Sequence, residues 1–434
     1  MLKPLLSISI SLLTACSLAA TTACDWFDWG VPAPAVADAP ANTTLGQSIL
    51  DYAGEPISRG RLLFNSRLRY EYASQQGLDQ ANAFTLRTRV GYETARYHGF
   101  WGLAEFENTW AINYTDYGAF PPPNNNGKTV IADPRNNELN RLFLAYNGYN
   151  SSFKGGRQII ALDNQRFVGP VGWRQNDQTF DAVRATTEVV RDFWLSYAWN
   201  WRVNRVFGVY APNPNLRRFD SNNHFVNLHY KGLEHGTVGT YFYYLDLDGA
   251  AALSGSTVGA FYEVNYPLDE AWSLLGRAEY AFQTDNAATG NASFWENYYH
   301  VRLGVAYDGM QAGFGFENLG GNGTRAFQTP LATLHGFNGW ADVFLVTPND
   351  GLRDYYLWLQ ATRWQFTGRV ELHYFTAQRS GQGYGREVDV SLSRPINENL
   401  SVTTKFAYYN GLATAGPGIS PDRLKFWIQL DFQL

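Results

Sequence analysis

The sequence predicts an all-β protein: a single large antiparallel transmembrane β-barrel of about 16 to 18 strands, with long loops folding over or into the lumen. Three observations point there. The chain opens on an export signal, it lacks an apolar run long enough for a helical span, and it ends on an amphipathic strand.

At the N-terminus, Lys3 is followed by the short apolar stretch Leu5–Leu18 and by small residues at Ala19–Ala20. This is the pattern of a signal peptide, placed over residues 1–24. Leu13-Thr14-Ala15-Cys16 offers a second reading, a lipoprotein cleavage box that would leave Cys16 acylated. Cys16 and Cys24 are the two cysteines, so the body beyond them has no disulfide framework or thiolate metal site. Residues 25–58, rich in Pro, Ala, Asp and Thr, read as a flexible periplasmic lead-in, and 59–434 as the barrel.

Beyond Cys24 no apolar run exceeds five residues, far short of the ~20 a helical span needs. Aromatic residues nevertheless make up 16% of the chain, and Gly is abundant. A barrel reconciles these facts, because its strands need an apolar residue only at alternate positions. The tail shows the alternation directly. Leu424, Phe426, Ile428, Leu430, Phe432 and Leu434 fall on one face, with Lys425, Trp427, Gln429, Asp431 and Gln433 on the other.

The first strand repeats the pattern, with Leu62, Phe64, Leu68, Tyr70 and Tyr72 opposite Asn65, Arg67, Arg69 and Glu71. The second sets Phe84, Leu86, Val90 and Tyr92 against Arg87, Arg89 and Glu93. Further examples run through Val258–Tyr266, Trp272–Phe282, Tyr299–Tyr307, Phe366–Phe375 and Val402–Tyr408. Tyr and Trp near strand ends suit the two membrane interfaces. A barrel of this size is expected to enclose water rather than a packed core. The segments Asn113–Asn137 and Glu317–Thr347 are too long for tight turns and are the natural plugs.

Six of the 34 basic residues are lysine and the other 28 are arginine. The guanidinium is a planar fork that grips carboxylates in pairs of hydrogen bonds. Inward-facing Arg67, Arg69, Arg87, Arg89, Arg157 and Arg184 are therefore candidates for a track that hands an anion from fork to fork. The competing reading is a ladder in which these arginines satisfy Glu and Asp of neighbouring strands, and the net charge of −5 does not favour a general anion attractor.

The polar segment GRQIIALDNQRFVGPVGWRQNDQTFDAVR (156–184) concentrates this chemistry. Gly169-Pro170 and Gly172 imply a specified backbone path, while Asp163, Asn164, Gln165, Arg166, Arg174 and Asp177 supply charge and amides for contact with the wall or with a permeating solute. A second segment, Ala326–Leu359, contains His335, Phe337, Trp340 and Asp342, which suit a similar inward loop or gate. His335 with Asp342 lacks a visible nucleophile, so a structural pair is the expectation. Leu245–Gly249 starts like a calcium loop but lacks the further ligands and reads as a strand end.

These two segments, with the LRYEY first strand and the tail strand, resemble the alginate-export family of outer-membrane barrels over roughly residues 60–434. The resemblance implies a monomeric barrel of about 18 strands in the bacterial outer membrane, with an arginine-rich lumen and mouth loops that control passage. It implies a passive channel exporting an anionic, alginate-like polysaccharide, with Arg157 and Arg184 at an electropositive constriction. Uptake of small anionic solutes or oligosaccharides by the same architecture is the alternative. Membrane lipids, the polymer and periplasmic export components are the expected partners. No enzyme activity, cofactor, metal cluster, nucleotide loop or nucleic-acid surface is indicated.

Overall fold

Side chains that alternate about each strand can all be accommodated only if one face of the sheet meets lipid and the other an enclosed interior. In the computed structural model the chain meets this demand by closing the sheet on itself. Residues 57–286, 293–416 and 419–434 are described, so the expected signal peptide, Cys16 and nearly all of the lead-in lie outside them.

Among the described residues there are eighteen strands. The first five are β1 (Arg61–Gln75), β2 (Ala81–Glu93), β3 (Phe100–Ala111), β4 (Asn136–Gly148) and β5 (Ser151–Gln158). Next come β6 (Thr179–Val190), β7 (Phe193–Asn204), β8 (Arg218–Leu233), β9 (Gly236–Leu245), β10 (Gly255–Pro267) and β11 (Trp272–Thr284). The last seven are β12 (Trp295–Tyr307), β13 (Met310–Leu319), β14 (Leu352–Arg363), β15 (Phe366–Thr376), β16 (Gly383–Pro395), β17 (Leu400–Gly411) and β18 (Arg423–Gln433). Each pairs antiparallel with its sequence neighbours, and β1 pairs with β18 in a register that sets Arg69 opposite Gln429 and Tyr72 opposite Phe426. Closure leaves no unpaired edge, which hydrocarbon would penalise by several kcal/mol per exposed peptide group.

The two ends differ. At the end where β1 starts and β18 finishes the strands turn in two to six residues, and at the opposite end the connections run from five to 32 residues. Several short turns are two-residue hairpins with both central residues left-handed, as at Tyr149-Asn150 and Trp364-Gln365. Aromatic pairs ring the wall near this end, among them Phe193–Tyr230 and Trp272–Tyr307, each at 4.5 Å, and Phe100–Tyr146 at 4.8 Å. Between the ends the outward positions are apolar and exposed, including Leu144, Leu303, Leu357 and Leu372.

The interior departs from the water-filled lumen expected for a barrel of this size. Wall residues Tyr241, Tyr243, Phe261, Tyr298 and Trp427 point inward, and loop residues Ile160, Leu162, Phe167, Phe327 and Leu331 are buried among them. Phe167 alone packs within 5.1 Å of Tyr241 and 5.4 Å of Tyr298. Each such side chain contributes about 1.5–3 kcal/mol when fully buried. The loops bring their own core because wall side chains are too short to meet across so wide a ring.

An arginine on the lipid face tests the membrane assignment. Leu357→Arg, in mid-β14, is expected to cost about 2–4 kcal/mol, read from urea-dependent folding into lipid vesicles.

Candidate functional site: a loop plug pinned to the lumen wall

β5 stops after eight residues, whereas β4 beside it runs for thirteen, and Arg157 lies opposite Leu142 in the middle of β4. The chain therefore leaves the wall part-way along, and the loop 159–178 turns into the lumen. There it meets the loop 320–351. Val168 and Leu331 form a bridge, the Gly169 amide donates to the Leu331 carbonyl at 2.9 Å, and the Thr333 amide donates to the Gln165 carbonyl at 3.0 Å. The Thr333 hydroxyl also donates to Gln165 Oε1 at 2.7 Å. Gly169 is required here, since a Cβ would collide with Thr333 and Gln165. Val171 holds φ 54°, an unusual value for a β-branched residue that the surrounding contacts enforce.

Charged anchors fix this double loop to the wall. Arg174 Nη2 donates to Asp342 of the second loop at 2.7 Å, and Nη1 lies 3.2 Å from Glu71 on β1. Burial opposes the charge on Arg174, but Glu71 and Asp342 beside it hold the guanidinium above its ordinary range. Arg166 donates to Glu317 on β13 at 2.7 Å, to Thr329 at 3.0 Å and to Asn338 at 3.0 Å. Asp163 accepts from Asn227 at 2.9 Å and lies 2.8 Å from His229, both on β8. From the wall, Arg67 donates to the carbonyls of Gly172 and Trp173 at 3.1 and 3.2 Å, and Arg69 to the Trp173 carbonyl at 2.6 Å. Arg89 spans Glu107 at 2.5 Å and Asp177 at 2.8 Å.

The second loop has a buried cluster of its own. His335 Nδ1 is 2.8 Å from Asp342, and its Nε2 is 2.8 Å from the ammonium of Lys405 on β17. An ammonium has nothing to accept with, so Nε2 is the bare nitrogen and Nδ1 carries the proton toward Asp342. Burial, then the Lys405 charge, pushes the His335 pKa well below its ordinary value. Burial raises the Asp342 carboxyl, yet Lys425, 2.6 Å away, together with His335 and Arg174 holds it far below the usual carboxylate range. Trp173 stacks on His335 at 5.1 Å, with the Arg69 guanidinium 4.2 Å from its ring centre. Lys405 also sits 3.8 Å from the ring centre of Trp340, whose amide donates to Asp389 at 3.1 Å.

The arginines singled out in the sequence thus fall into two groups. Arg67, Arg69, Arg87 and Arg89 line one side of the interior, where Arg67 and Arg87 stand directly opposite one another across the strand pair. Arg87 donates to the Asn65 side chain, and the other three hold the loop or its neighbours. Arg157 and Arg184 line different cavities. Arg157 grips Asp181 with both arms at 2.7 and 3.2 Å and faces a cavity of about 530 Å³, lined also by Glu138, Arg217 and Asp220. Arg184 faces a small cavity of about 30 Å³ with Asp163 and His229. Asn164 caps the Arg166 amide at 3.1 Å, and Phe337 lies 4.8 Å beneath the Arg166 guanidinium. Sequence reasoning did not single out Glu71, Glu317, Lys405 or Lys425 as anchors, nor Asp133, which accepts from Arg69 Nη1 at 3.3 Å and from the Gln175 amide at 2.9 Å. Alternation places Glu71 and Lys425 inward, but nothing in one sequence says which loop meets them.

An eighteen-strand closed barrel with apolar exterior and inward loops defines an outer-membrane channel of the porin type, a class whose short turns face the periplasm. Residues 62–272, just under half of the chain, match the family model described as alginate export, so the resemblance read from the polar motifs is shown there. The match contains the first polar segment and stops before the second. No curated protein matches the sequence. Similar crystal structures include Acinetobacter baumannii OccAB2, at 12% identity and TM-score 0.67, covering 88% of this chain and 100% of that one. Pseudomonas aeruginosa OpdQ is 13% identical at TM-score 0.66, covering 88% and 99%. Pseudomonas aeruginosa OpdK with vanillate is 11% identical at TM-score 0.65, covering 86% and 98%.

Two outcomes check the pinning. Arg174→Ala strands Glu71 in a buried site and is expected to cost the docked plug about 3–5 kcal/mol, seen as larger single-channel conductance. The pH dependence has a definite sign. Unfolded His335 takes up a proton below about pH 6.5 while the docked residue resists it, so docking weakens as pH falls below that value. Asp342 adds a second loss only below its unfolded value near pH 3.9, on the way to its lower folded one. Protease nicking of the loop 320–351 should therefore rise between pH 7.5 and 5, and His335→Gln should remove that step.

Proposed function

We propose that this protein is a passive, monomeric outer-membrane channel that exports an anionic, uronate-containing polysaccharide received from periplasmic components. One observation carries the reading: wall arginines hold the chain's own loop through a carboxylate, as Arg89 holds Asp177 at 2.8 Å, and through carbonyls, as Arg67 holds Gly172 and Trp173. A uronate presents the same carboxylate to the same forks. The polymer therefore competes with the plug for its anchors, and passage and unplugging become one event. The family match over residues 62–272 supports the substrate class.

A second reading, uptake of small anionic solutes, draws on the cavity of about 530 Å³ beside Arg157, a volume suited to one small molecule rather than a chain. Nothing in either reading uses turnover. His335 is held on both nitrogens, by Asp342 and Lys405, which leaves no free base there.

Planar-bilayer recordings test and separate the two. The expected result is anion-selective conductance, reduced in preference by Arg157→Ala and Arg184→Ala, and blocked by oligouronates added from the periplasmic side. Block by single uronic acids with no added effect of chain length would favour uptake. Cation selectivity indifferent to every uronate would contradict both.

A further inference from the structure

Away from the arginine anchors, the interior faces of β14, β15 and β16 bring acids and one imidazole together. Across β15 and β16, Glu371 faces Asp389 and His373 faces Glu387. Asp354 on β14 accepts from His373 Nδ1 at 2.9 Å. That bond places a proton on Nδ1, and the ring is clamped between Tyr356 and Phe375, each 5.3 Å away. The far nitrogen, Nε2, is buried and has no hydrogen-bond partner. It points at Glu371 Oε2, 3.9 Å away, and at Asp389 Oδ2, 3.7 Å away. Asp389 Oδ1 and Glu387 Oε2 are likewise buried, on carboxyls that neighbour one another.

Those separations are too long for hydrogen bonds. A proton on Nε2 would draw one carboxylate in to about 2.7–2.9 Å. They come near the spacing of ligand atoms around a small cation: atoms about 2.0–2.2 Å from a tetrahedral zinc ion stand roughly 3.3–3.6 Å apart, so shifts of a few tenths of an ångström would seat an ion. The charge count agrees. Arg369 donates to Glu371 at 2.5 Å, against four buried carboxylates on Asp354, Glu371, Glu387 and Asp389. A carboxylate on the distal ring nitrogen is also how metal-binding histidines are commonly oriented.

We propose that Glu371, His373 and Asp389 bind one divalent cation, with Asp354 orienting the imidazole and Glu387 beside the ion. One imidazole among carboxylates suits a first-row ion such as Zn²⁺ or Mn²⁺ better than Ca²⁺ or Mg²⁺, which prefer all-oxygen sets. The site also has a structural consequence. Asp389 accepts the Trp340 amide at 3.1 Å and Glu387 accepts the Ala341 amide at 2.6 Å, so the ion fixes the two carboxylates on which the loop 320–351 rests. This proposal does not depend on which solute the channel passes.

The test uses the full barrel purified without a histidine tag, stripped with chelator and dialysed against Zn²⁺, with unboiled gel mobility as the check of folding. One Zn²⁺ per chain is expected in the native protein. His373→Gln and Glu371→Gln should lose it, Asp354→Asn should weaken it about 10–100-fold, and His229→Gln should retain it. Co²⁺ substitution gives a readout in the native protein alone, with visible absorption of a low-coordinate N/O site expected. Absence of stoichiometric Zn²⁺ and of that spectrum in the native protein overturns the proposal, as does equal binding by folded His373→Gln.

Discussion

The guanidinium of Arg174 is the interaction on which the interior depends. It joins the first inward loop to Glu71 on β1 and to Asp342 on the second loop, three parts of the chain that are far apart in sequence. Its charge is buried and therefore costly unless paired, so once the loops enter the lumen each must bring its counter-charge to a defined place. Asp342 in turn is shared with Lys425 and His335, and Lys405 closes the group against Trp173 and Trp340. Apolar contacts about Phe167 and Phe344 supply burial, while the charge pairs decide the register in which the loops dock.

The need for such a plug follows from barrel size. Eighteen strands make a ring wider than side chains can span, so a channel of this width is open unless something other than the wall occupies it. Here two loops interlock with each other as well as with the wall, through Val168 and Leu331 and through Gln165 and Thr333. Docking is consequently joint: loosening either loop removes part of the support of the other. Anchors made of arginine and carboxylate rather than apolar contact alone give an anionic solute a direct means of competing.

Much of the wall was legible in the sequence, because alternation is local: the inward set Arg67, Arg69 and Glu71 and the outward set Leu68, Tyr70 and Tyr72 can be read from one strand at a time. The polar segment 156–184 was legible as an inward loop from its charge and glycines, and His335, Trp340 and Asp342 as parts of a second. Their partners were not. Arg166 meets Glu317, 151 positions away, and Arg174 meets Glu71, 103 positions away, through a closure that no short window encodes. The packed interior was missed for the same reason, since nothing local shows that Phe167 of the loop packs against Tyr241 and Tyr298 of the wall. The cluster of Glu371, His373 and Asp389 was hidden as well, because Asp389 stands on β16 and meets Glu371 and His373 of β15 only in register.

The central claim is that solute and plug compete for the same arginine forks. Hydrogen–deuterium exchange at the amides of Gly169 and Thr333, which are protected by the contact between the loops, reads that competition directly. With an oligouronate present these amides are expected to exchange faster than with a neutral oligosaccharide of equal length. Exchange that is unchanged, or slowed by the uronate, would contradict the account.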